Sequence, residues 1–462
     1  MVERHQKFLQ DSETKAFDKK HRQIINFNIS KYDTAVAKGK LQYKNLELAR
    51  KRAAHIRHKA INDLDKYLVE FEANFISRGG KILWASNEEE AINGILSVLK
   101  KYDARYVVKS KSMITEEIEL NHHLQANKIE SLETDLGEYI VQLAGEKPYH
   151  IITPCMHKSK EDVSELFFQK FGFPKENSAE QLTAFVRRLL RDKFLAADAG
   201  VTGANFLIAD IGGVALTENE GNGLMTVSFP KIHIAICGVE KIIPSLKDLD
   251  LLWPLLATHG TGQNITVYNT ILTGPKQEEE TDGPDEMFLV ILDNGRSNVL
   301  MPDEQRKAMS CIKCGACLNT CPVYKNIGGH TYATTYSGPI GSVVTPHMRG
   351  KAEFKHLSYA STLCGKCTEV CPVMINLHKL LLFNRRDFIK EKYTSGSEKM
   401  VMYVWKKAMM KRGLLEFTSA GMKNFMLRKF FSKSWGPRRS IPVISQRSFN
   451  RLWKEQRGQR KK

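Results

Sequence analysis

The chain has 462 residues, 42% of them hydrophobic, which is enough to bury several packed units and excludes a small disulfide scaffold. No apolar run approaches the roughly 18 to 20 residues needed to cross a bilayer, and the first residues hold no apolar signal core. We therefore expect a cytoplasmic protein. In that reducing compartment its nine cysteines should be metal ligands or buried thiols. The net charge of +18 lies at the two ends of the chain: residues 1–60 hold 15 Lys and Arg against 6 Asp and Glu, and residues 393–462 hold 18 against 3. The middle of the chain has a net charge of −6. Because the positive charge does not surround the middle of the chain, this distribution argues against a nucleic-acid partner.

Residues 1–70 are predicted to be an N-terminal helical region. Apolar residues recur there at near-helical spacing among many charges, as in Ile56, Ala60, Leu64 and Leu68. This pattern is typical of helices that pack against a larger body.

Residues 71–300 are predicted to form an α/β domain, because short β-rich runs alternate with helical ones. A capping box of Ser86 and Glu89 should open the first helix of this domain. NEGNG (219–223) should be a tight turn between two strands, and 273–286 a surface loop. Helices are expected near 114–126, 160–171 and 179–197, and strands at 81–84, 105–108, 150–153, 206–210, 213–217, 232–237 and 288–292.

A cysteine motif follows at the start of residues 301–392. The run Cys311-x2-Cys314-x2-Cys317-x3-Cys321-Pro322 has the spacing that bacterial ferredoxins use for [4Fe-4S] clusters. Three thiolates two residues apart let a short loop wrap one cluster, while the fourth is directed to a neighbouring cluster. The motif therefore predicts a second copy.

The second copy has one cysteine fewer. It reads Cys364-x2-Cys367-x3-Cys371-Pro372, with Ser361 where a further cysteine would stand. Crossed ligation assigns Cys311, Cys314, Cys317 and Cys371 to cluster 1, and Cys321, Cys364 and Cys367 to cluster 2. Cluster 2 could then be a [3Fe-4S] centre, a [4Fe-4S] centre completed by Ser361 or another oxygen or nitrogen ligand, or a cubane with one open iron.

Other chemistries fit these cysteines less well. Zinc needs four tetrahedral ligands and usually separates its CxxC pairs, and no cysteine stands apart with a partnered base as a catalytic thiol would. His330, between the motifs, could supply a missing ligand, although a lone histidine in a polar loop is more often only hydrogen-bonded.

The α/β domain offers weaker signals, from which we name no catalytic residue. Lys109, Ser110, Lys111 and Ser112 follow a predicted strand and precede a helix that contains Thr115, where a phosphate or carboxylate could bind. Because no GxGxxG or GxxxxGK[ST] motif is present, solvated turn residues are the favoured interpretation. The other candidates are acid-base groups at Asp135, Asp210 and Glu220, and core thiols at Cys155 and Cys237.

The chain resembles the iron-sulfur subunits of lactate-utilisation systems, the LutB family. The resemblance spans about residues 80–380 and is carried by VKSKSMITEE, ETDLGEYI, GVTGANFLIADIGGVAL, NEGNG, LTGPK, DNGRSN, CIKCGACLNTCPVYKNIGGHTY, YSGPIGSVVTP and LCGKCTEVCPV. It implies a LUD domain with a layered sheet like those of sugar isomerases and CoA transferases, followed by a mainly helical two-cluster ferredoxin-like domain. The three-cysteine second motif also resembles the family pattern.

The resemblance further implies a function and two companions. One companion has cysteine-rich cluster-binding repeats, the other is a smaller LUD protein, and together the three oxidise L-lactate to pyruvate. This chain would be the electron-transfer subunit rather than a stand-alone catalyst, with an unknown electron acceptor. The alternative is an acyl- or CoA-handling enzyme whose clusters are structural or regulatory.

Residues 393–462 form a basic C-terminal tail that the resemblance matches less clearly. Trp405, Trp435 and Trp453 lie among its cations, a combination that suits peripheral contact with the inner membrane surface and delivery of electrons to a quinone. A solvated arm, or a docking surface for an acidic partner, is the competing interpretation.

Overall fold

The computed structural model describes residues 2–411, 413, 417–436 and 439–459. The chain divides into two compact units, Met1–Phe388 and Ile389–Lys462. No helix among the described residues is both long and apolar enough to span a bilayer.

The first unit opens with a run of helices that fits the helical prediction for residues 1–70. These helices are α1 (Val2–Phe17), α2 (Lys19–Gly39), α3 (Leu46–Asn62) and α4 (Leu64–Ser77). Asp18 and Asn45 cap α2 and α3 by accepting backbone N–H groups of the first turn. Their buried faces pack against the elements described below, including the cysteine-bearing region.

A six-stranded parallel sheet forms the centre of the first unit, in the order β1-β10-β7-β4-β2-β3. Its strands are β1 (Lys81–Ala85), β2 (Tyr106–Lys109), β3 (Glu130–Glu133), β4 (Ala199–Thr202), β7 (Ile232–Gly238) and β10 (Glu286–Leu292). A smaller mixed sheet has the order β8-β5-β6-β9 and comprises β5 (Phe206–Ile208), β6 (Gly213–Glu218), β8 (Ile242–Ile243) and β9 (Tyr268–Leu272).

Helices cover both faces of the parallel sheet, and adjacent strand residues point to opposite faces. Val107 packs with helices on one face and Val108 with helices on the other. Because both faces are covered, β7 and β10 are almost entirely buried and apolar. The helices of this domain are α5 (Glu88–Lys101), α6 (Met113–Glu117), α7 (Leu120–Ala126), α8 (Leu136–Leu143), α9 (Lys160–Phe171), α10 (Ala179–Leu195), α11 (Asn222–Ser228) and α12 (Leu249–Thr261).

Three local predictions for this domain are wrong. Residues 150–153 form bends instead of a strand, because the His150 Nδ1 atom accepts the N–H groups of Ile152 and Thr153. The first helix is capped by Asn87 rather than by Ser86. NEGNG leads into α11 rather than into a strand, because the Glu218 carboxylate binds N–H groups of the first turn of α11.

The cysteine-bearing region is helical and completes the first unit. Its helices are α13 (Arg296–Leu300), α14 (Asp303–Arg306), α15 (Ala316–Asn319), α16 (Pro322–Ile327), α17 (Gly338–Arg349), α18 (Lys351–Tyr359), α19 (Lys366–Glu369) and α20 (Leu377–Lys390). They share one apolar core with the N-terminal helices, so the cysteine loops are held from two sides.

The second unit has short helices with few buried side chains. Gly396–Met410 has no buried residue, and Ala420–Met426 and Phe449–Gln459 likewise expose their large apolar groups. Its basic and aromatic side chains are therefore displayed at the surface of the unit.

Candidate functional site

Four cysteines from both motifs line one small cavity in the first unit. They are Cys311, Cys314, Cys317 and Cys371, the set that crossed ligation predicts for cluster 1. The remaining lining is mostly apolar and comes from residues 151, 312, 313, 315, 316, 340, 372, 373, 375 and 377. Residues more than fifty positions apart in the sequence thus meet at one sulfur-rich cavity.

The loop around this cavity has the geometry that a wrapped cluster requires. Lys313 and Gly315 adopt left-handed φ values of 59° and 74°, which turn the backbone between successive cysteines. A side chain at Gly315 would meet Ile152 and His150 at 3.0 and 3.2 Å. Backbone N–H groups donate to the sulfurs of Cys311 and Cys371, each at 3.3 Å, as iron-bound sulfurs commonly require.

The electrostatics of the cavity fit a positively charged occupant. Burial, followed by repulsion from the neighbouring sulfurs, raises the pKa values of Cys314 and Cys317 above their ordinary range and that of Cys371 to about 12. Metal ligation needs thiolates. Iron would supply the positive charge that stabilises four thiolates in so apolar a cavity, and the residues present therefore fit an iron-sulfur cluster.

The other three cysteines form a second group. Burial, followed by interaction with Cys321 and Cys364, raises the pKa of Cys367 to about 11. Cys321 and Cys367 are buried, whereas Cys364 is exposed, so this group extends to the molecular surface. Cys317 of the first group also interacts with Cys367 of the second, which shows that the two groups are neighbours.

Two candidate extra ligands make other contacts. The Ser361 hydroxyl accepts the N–H of Leu363 at 3.1 Å within the turn before Cys364. The His330 Nε2 atom pairs with the carbonyl of Lys147 at 2.7 Å, and its ring packs edge-on against Tyr149. These contacts give the His330 side chain a structural role.

The described residues contain no group of three or more His, Cys, Asp or Glu side chains that could hold a single metal ion. They do contain the cavity that four cysteines from the two motifs line together. This arrangement suits a cluster of several irons, which accepts ligands spread over a wider space than one ion does.

Two arginines of α3 support the cysteine loops, and neither was predicted from the sequence to have this role. Arg50 donates to the carbonyls of Cys371 and Glu369 at 2.7 to 3.1 Å. Arg57 is fully buried and donates to the carbonyls of Ser310 and Met309, directly before the first motif. Their position in a charged helix gave no signal, because buried and exposed arginines look alike in one sequence.

A cleft of about 510 Å³ opens beside the four-cysteine cavity, at the carboxyl ends of the parallel strands. In parallel α/β sheets, ligands bind at the carboxyl ends of the strands, at the point where the order of the strands reverses. In this sheet the order reverses at β2, because β3 lies on one side of it and β4 on the other. Ser110, Lys111 and Ser112 line the cleft as the ligand-binding interpretation expected.

Lys109 does not line this cleft. It is fully buried and pairs with Glu133 at 2.7 Å and with Thr115 at 2.8 Å. Burial alone would lower its pKa, but Glu133 and Glu116 outweigh burial and raise it. Both earlier interpretations of Lys109, as a ligand-binding or a solvated turn residue, are therefore wrong.

The cleft brings Asp135 and Glu220 together, which the sequence could not do. Glu220 keeps some exposure at the rim, yet desolvation and the Asp135 carboxylate raise its pKa to about 7. Asp210 is not among the lining residues, and its carboxylate instead accepts the N–H of Leu246.

The two candidate core thiols, Cys155 and Cys237, also line the cleft, and burial raises their pKa values to about 11 and about 12.

A buried ionic network forms the floor between the cleft and the cysteine region. Arg296 donates to Glu117 at 2.8 Å, to Glu240 at 2.7 Å and to the Tyr336 hydroxyl at 3.2 Å. Burial would raise the pKa of Glu240, but Arg296 overrides this effect and lowers it to about 2. The network joins the α/β domain to the segment between the two cysteine motifs.

Comparison with known proteins gives consistent matches. Residues 68–292 match the LUD domain, and residues 307–375 match the 4Fe-4S dicluster domain, which identifies the cysteine region as iron-sulfur-binding. A DUF162 family protein from Deinococcus radiodurans, solved at 1.70 Å, aligns with 50% of this chain and 98% of its own at 14% identity. Its TM-score of 0.29 is too low to establish a shared fold.

The similarity to whole proteins is much closer. Proteins named Lactate utilization protein B from Bacillus thuringiensis (strain Al Hakam), Bacillus cereus (strain AH187) and Bacillus anthracis (strain A0248) are 42% identical over 422 residues, or 89% of each chain. The match includes both domains in the same order. The chain therefore belongs to the lactate utilization protein B family, as a LUD domain followed by a 4Fe-4S dicluster domain.

Proposed function

We propose that this chain is the iron-sulfur electron-transfer subunit of a system that oxidises L-lactate to pyruvate. The observation that carries the proposal is the pair of neighbouring cysteine groups, one without an exposed cysteine and one reaching the surface at Cys364. Oxidation of lactate releases two electrons, and two adjacent one-electron centres can take them in turn. Membership of a family named for lactate utilisation supports the choice of substrate.

Cluster 1 is assigned the ligands Cys311, Cys314, Cys317 and Cys371, and cluster 2 the ligands Cys321, Cys364 and Cys367. The four cysteines that line one cavity favour a [4Fe-4S] cluster at the first site. With three thiolates, cluster 2 is either a [3Fe-4S] centre or a [4Fe-4S] centre whose fourth iron is open or bound by an oxygen such as that of Ser361. Electron paramagnetic resonance of the oxidised protein separates these forms by their spin state.

We infer the direction of electron flow from exposure. The cavity proposed for cluster 1 shares lining residues with the cleft, and Cys364 is exposed, which supports cluster 2 as the exchange point with a partner. We propose the two companion lactate-utilisation proteins, one cysteine-rich and one a smaller LUD protein, as the partners in the cytoplasm. The final electron acceptor is a separate component.

Redox cycling of the clusters tests this proposal. The complex should be co-purified with its companions under anaerobic conditions and bleached with dithionite, and excess reductant should then be removed. We expect pyruvate to restore the cluster absorbance in this complex, because it accepts the electrons that the reduced clusters hold and becomes L-lactate. Clusters that dithionite cannot bleach would contradict the relay and favour an acyl- or CoA-handling enzyme with structural clusters.

The second unit is proposed to contact an anionic membrane surface. Trp405, Trp435 and Trp453 are all more than 40% exposed there, and residues 393–462 hold 18 cations against 3 anions. Interfacial aromatics with surrounding cations bind anionic bilayers by burial and charge together. Such contact would place the chain next to a lipid-soluble acceptor.

Co-sedimentation with liposomes tests the membrane contact. We expect the full-length chain to pellet with vesicles of anionic lipid at low salt, and a truncated chain ending at Lys392 to remain in the supernatant. Vesicles of neutral lipid are the matched control, because they lack the charge component. Equal sedimentation of both chains would remove the membrane role and leave docking to an acidic protein.

A further inference from the structure

The cleft and the cluster 1 cavity share a wall. Ile151, Ile312 and Lys313 line both of them, so a single layer of side chains separates a molecule in the cleft from the cysteine sulfurs. The cleft is also the place where the parallel sheet presents its carboxyl-end loops. A ligand bound at this wall would lie beside cluster 1.

The end of the cleft at the shared wall is cationic. Lys241 and Lys313 both line it, and within the described part of the chain neither ammonium forms an ion pair with a carboxylate. Glu240, the nearest acid in the sequence, is bound to Arg296 at 2.7 Å. Two ammonium groups that face the same cavity, with the adjacent carboxylate already engaged, favour an anionic ligand.

The surroundings of these lysines strengthen that preference. Lys241 is largely surrounded by protein, and burial lowers its pKa to about 8. An anion bound beside this ammonium would offset the loss of solvation, so the site favours an anionic ligand. The Lys313 ammonium lies 4.0 Å from the centre of the Tyr336 ring, which holds it at the wall. Both cations are thus positioned before a ligand arrives.

We propose that this end of the cleft binds a 2-hydroxy or 2-oxo carboxylate at Lys241 and Lys313. Such an acid presents its carboxylate and its 2-oxygen on one edge, so one ligand can accept hydrogen bonds from both ammonium groups. A simple carboxylate lacks the 2-oxygen, so its two carboxylate oxygens alone must serve both ammonium groups. The cleft is larger than a three-carbon acid, so the head group, rather than the length of the chain, defines the ligand class.

The binding site stands on the geometry of the cleft, whereas its link to electron transfer rests on the proposed function. A bound 2-hydroxy acid would sit on the far side of the wall from cluster 1, where electrons enter the relay. This arrangement would explain why a LUD domain and a dicluster domain share one chain and one buried interface.

Calorimetric titration of the anaerobically prepared, cluster-loaded full chain tests the site. We expect L-lactate and pyruvate to bind, and propionate, which lacks the 2-oxygen, to bind about tenfold or more weakly, as the loss of a charge-assisted hydrogen bond implies. Lys241→Gln should weaken L-lactate binding by a similar factor, and Lys241→Arg should retain most of it.

Lys247→Gln is the matched control, because Lys247 is exposed and lies outside the cleft. Iron content is measured for every variant. Absence of binding to the wild-type chain, equal affinity for propionate and L-lactate, or undiminished binding by iron-loaded Lys241→Gln would each overturn the proposal. If Lys241→Gln loses iron, the comparison of L-lactate with propionate on the wild type decides.

The binding site and the relay can fail independently. Clusters that cycle with the companions in a chain that binds no carboxylate would refute the site and retain the relay. Carboxylate binding to a chain whose clusters are redox-inert would refute the relay and retain the site.

Discussion

Replacing Cys371 by serine is expected to remove the same cluster as replacing Cys311, although the two residues belong to different motifs. Cys371 lines the cavity of Cys311, Cys314 and Cys317, whereas Cys321, the last cysteine of the first motif, interacts with Cys364. A motif-by-motif assignment would instead group Cys371 with Cys364. The two assignments therefore predict opposite pairings of the variants.

The measurement is iron content together with electron paramagnetic resonance on Cys311→Ser, Cys371→Ser, Cys321→Ser and Cys364→Ser. We expect the first two to lose one and the same signal and about half of the iron, and the last two to lose the other signal. Cys237→Ser is the control, because Cys237 is buried in β7 outside both groups. Loss of the same signal in Cys371→Ser and Cys364→Ser would refute crossed ligation.

The sequence predicted the fold because its strongest signals are local. The alternation of strands with helices gave the α/β layout, and the resemblance gave the order of a LUD domain and a cluster domain, both of which are confirmed. The helix predicted at 160–171 has the bounds of α9, and the strand predicted at 288–292 lies within β10. Both agree because helical and strand periodicities depend on a few adjacent residues.

The predictions that failed depended on side chains that bind backbone groups at a distance of a few residues. The strand at 150–153 was lost to the ring of His150, and the turn at 219–223 became a helix start because Glu218 binds its N–H groups. Propensity describes a residue's average behaviour and does not include such specific competition. The same limit hid the Asn87 cap one position from its predicted place.

The cleft could not be found from the sequence because its residues come from many separate segments. Asp135 and Glu220 are 85 positions apart, and Lys241 and Lys313 belong to different domains. The strand order, together with the packing of the cysteine region against the α/β domain, brings them to one cleft. Lys109 shows the converse, since the sequence predicted either a ligand-binding or a solvated lysine, whereas Lys109 is buried against Glu133.

The substitution Arg57→Met is expected to destabilise the protein strongly and to impair its iron loading. Arg57 is fully buried in α3 and donates to carbonyls of Glu240, Ile242, Met309 and Ser310. It therefore ties the α/β domain and the start of the first cysteine motif to one helix. Methionine fills much of the volume but leaves these carbonyls without their donor.

The size of the effect follows from the cost of unpaired buried polar groups. Burial lowers the pKa of Arg57 to about 10, so the guanidinium stays charged at neutral pH and its hydrogen bonds are charge-assisted. Leaving buried acceptors unsatisfied costs about 1 to 3 kcal/mol per group, and partial relaxation should leave a net loss of about 3 kcal/mol or more. The loop that positions Cys311 should loosen at the same time.

Denaturant unfolding of the anaerobically loaded protein measures the stability, and iron content after gel filtration measures the cluster site. Arg52→Met is the matched control, because Arg52 lies on the exposed face of the same helix and its loss should change stability by no more than about 0.5 kcal/mol. Equal stability and iron content in the two variants would show that the N-terminal helices do not hold the cysteine region in place. A strong loss confined to Arg57→Met would establish that a residue outside both matched domains is required for the cluster site to form.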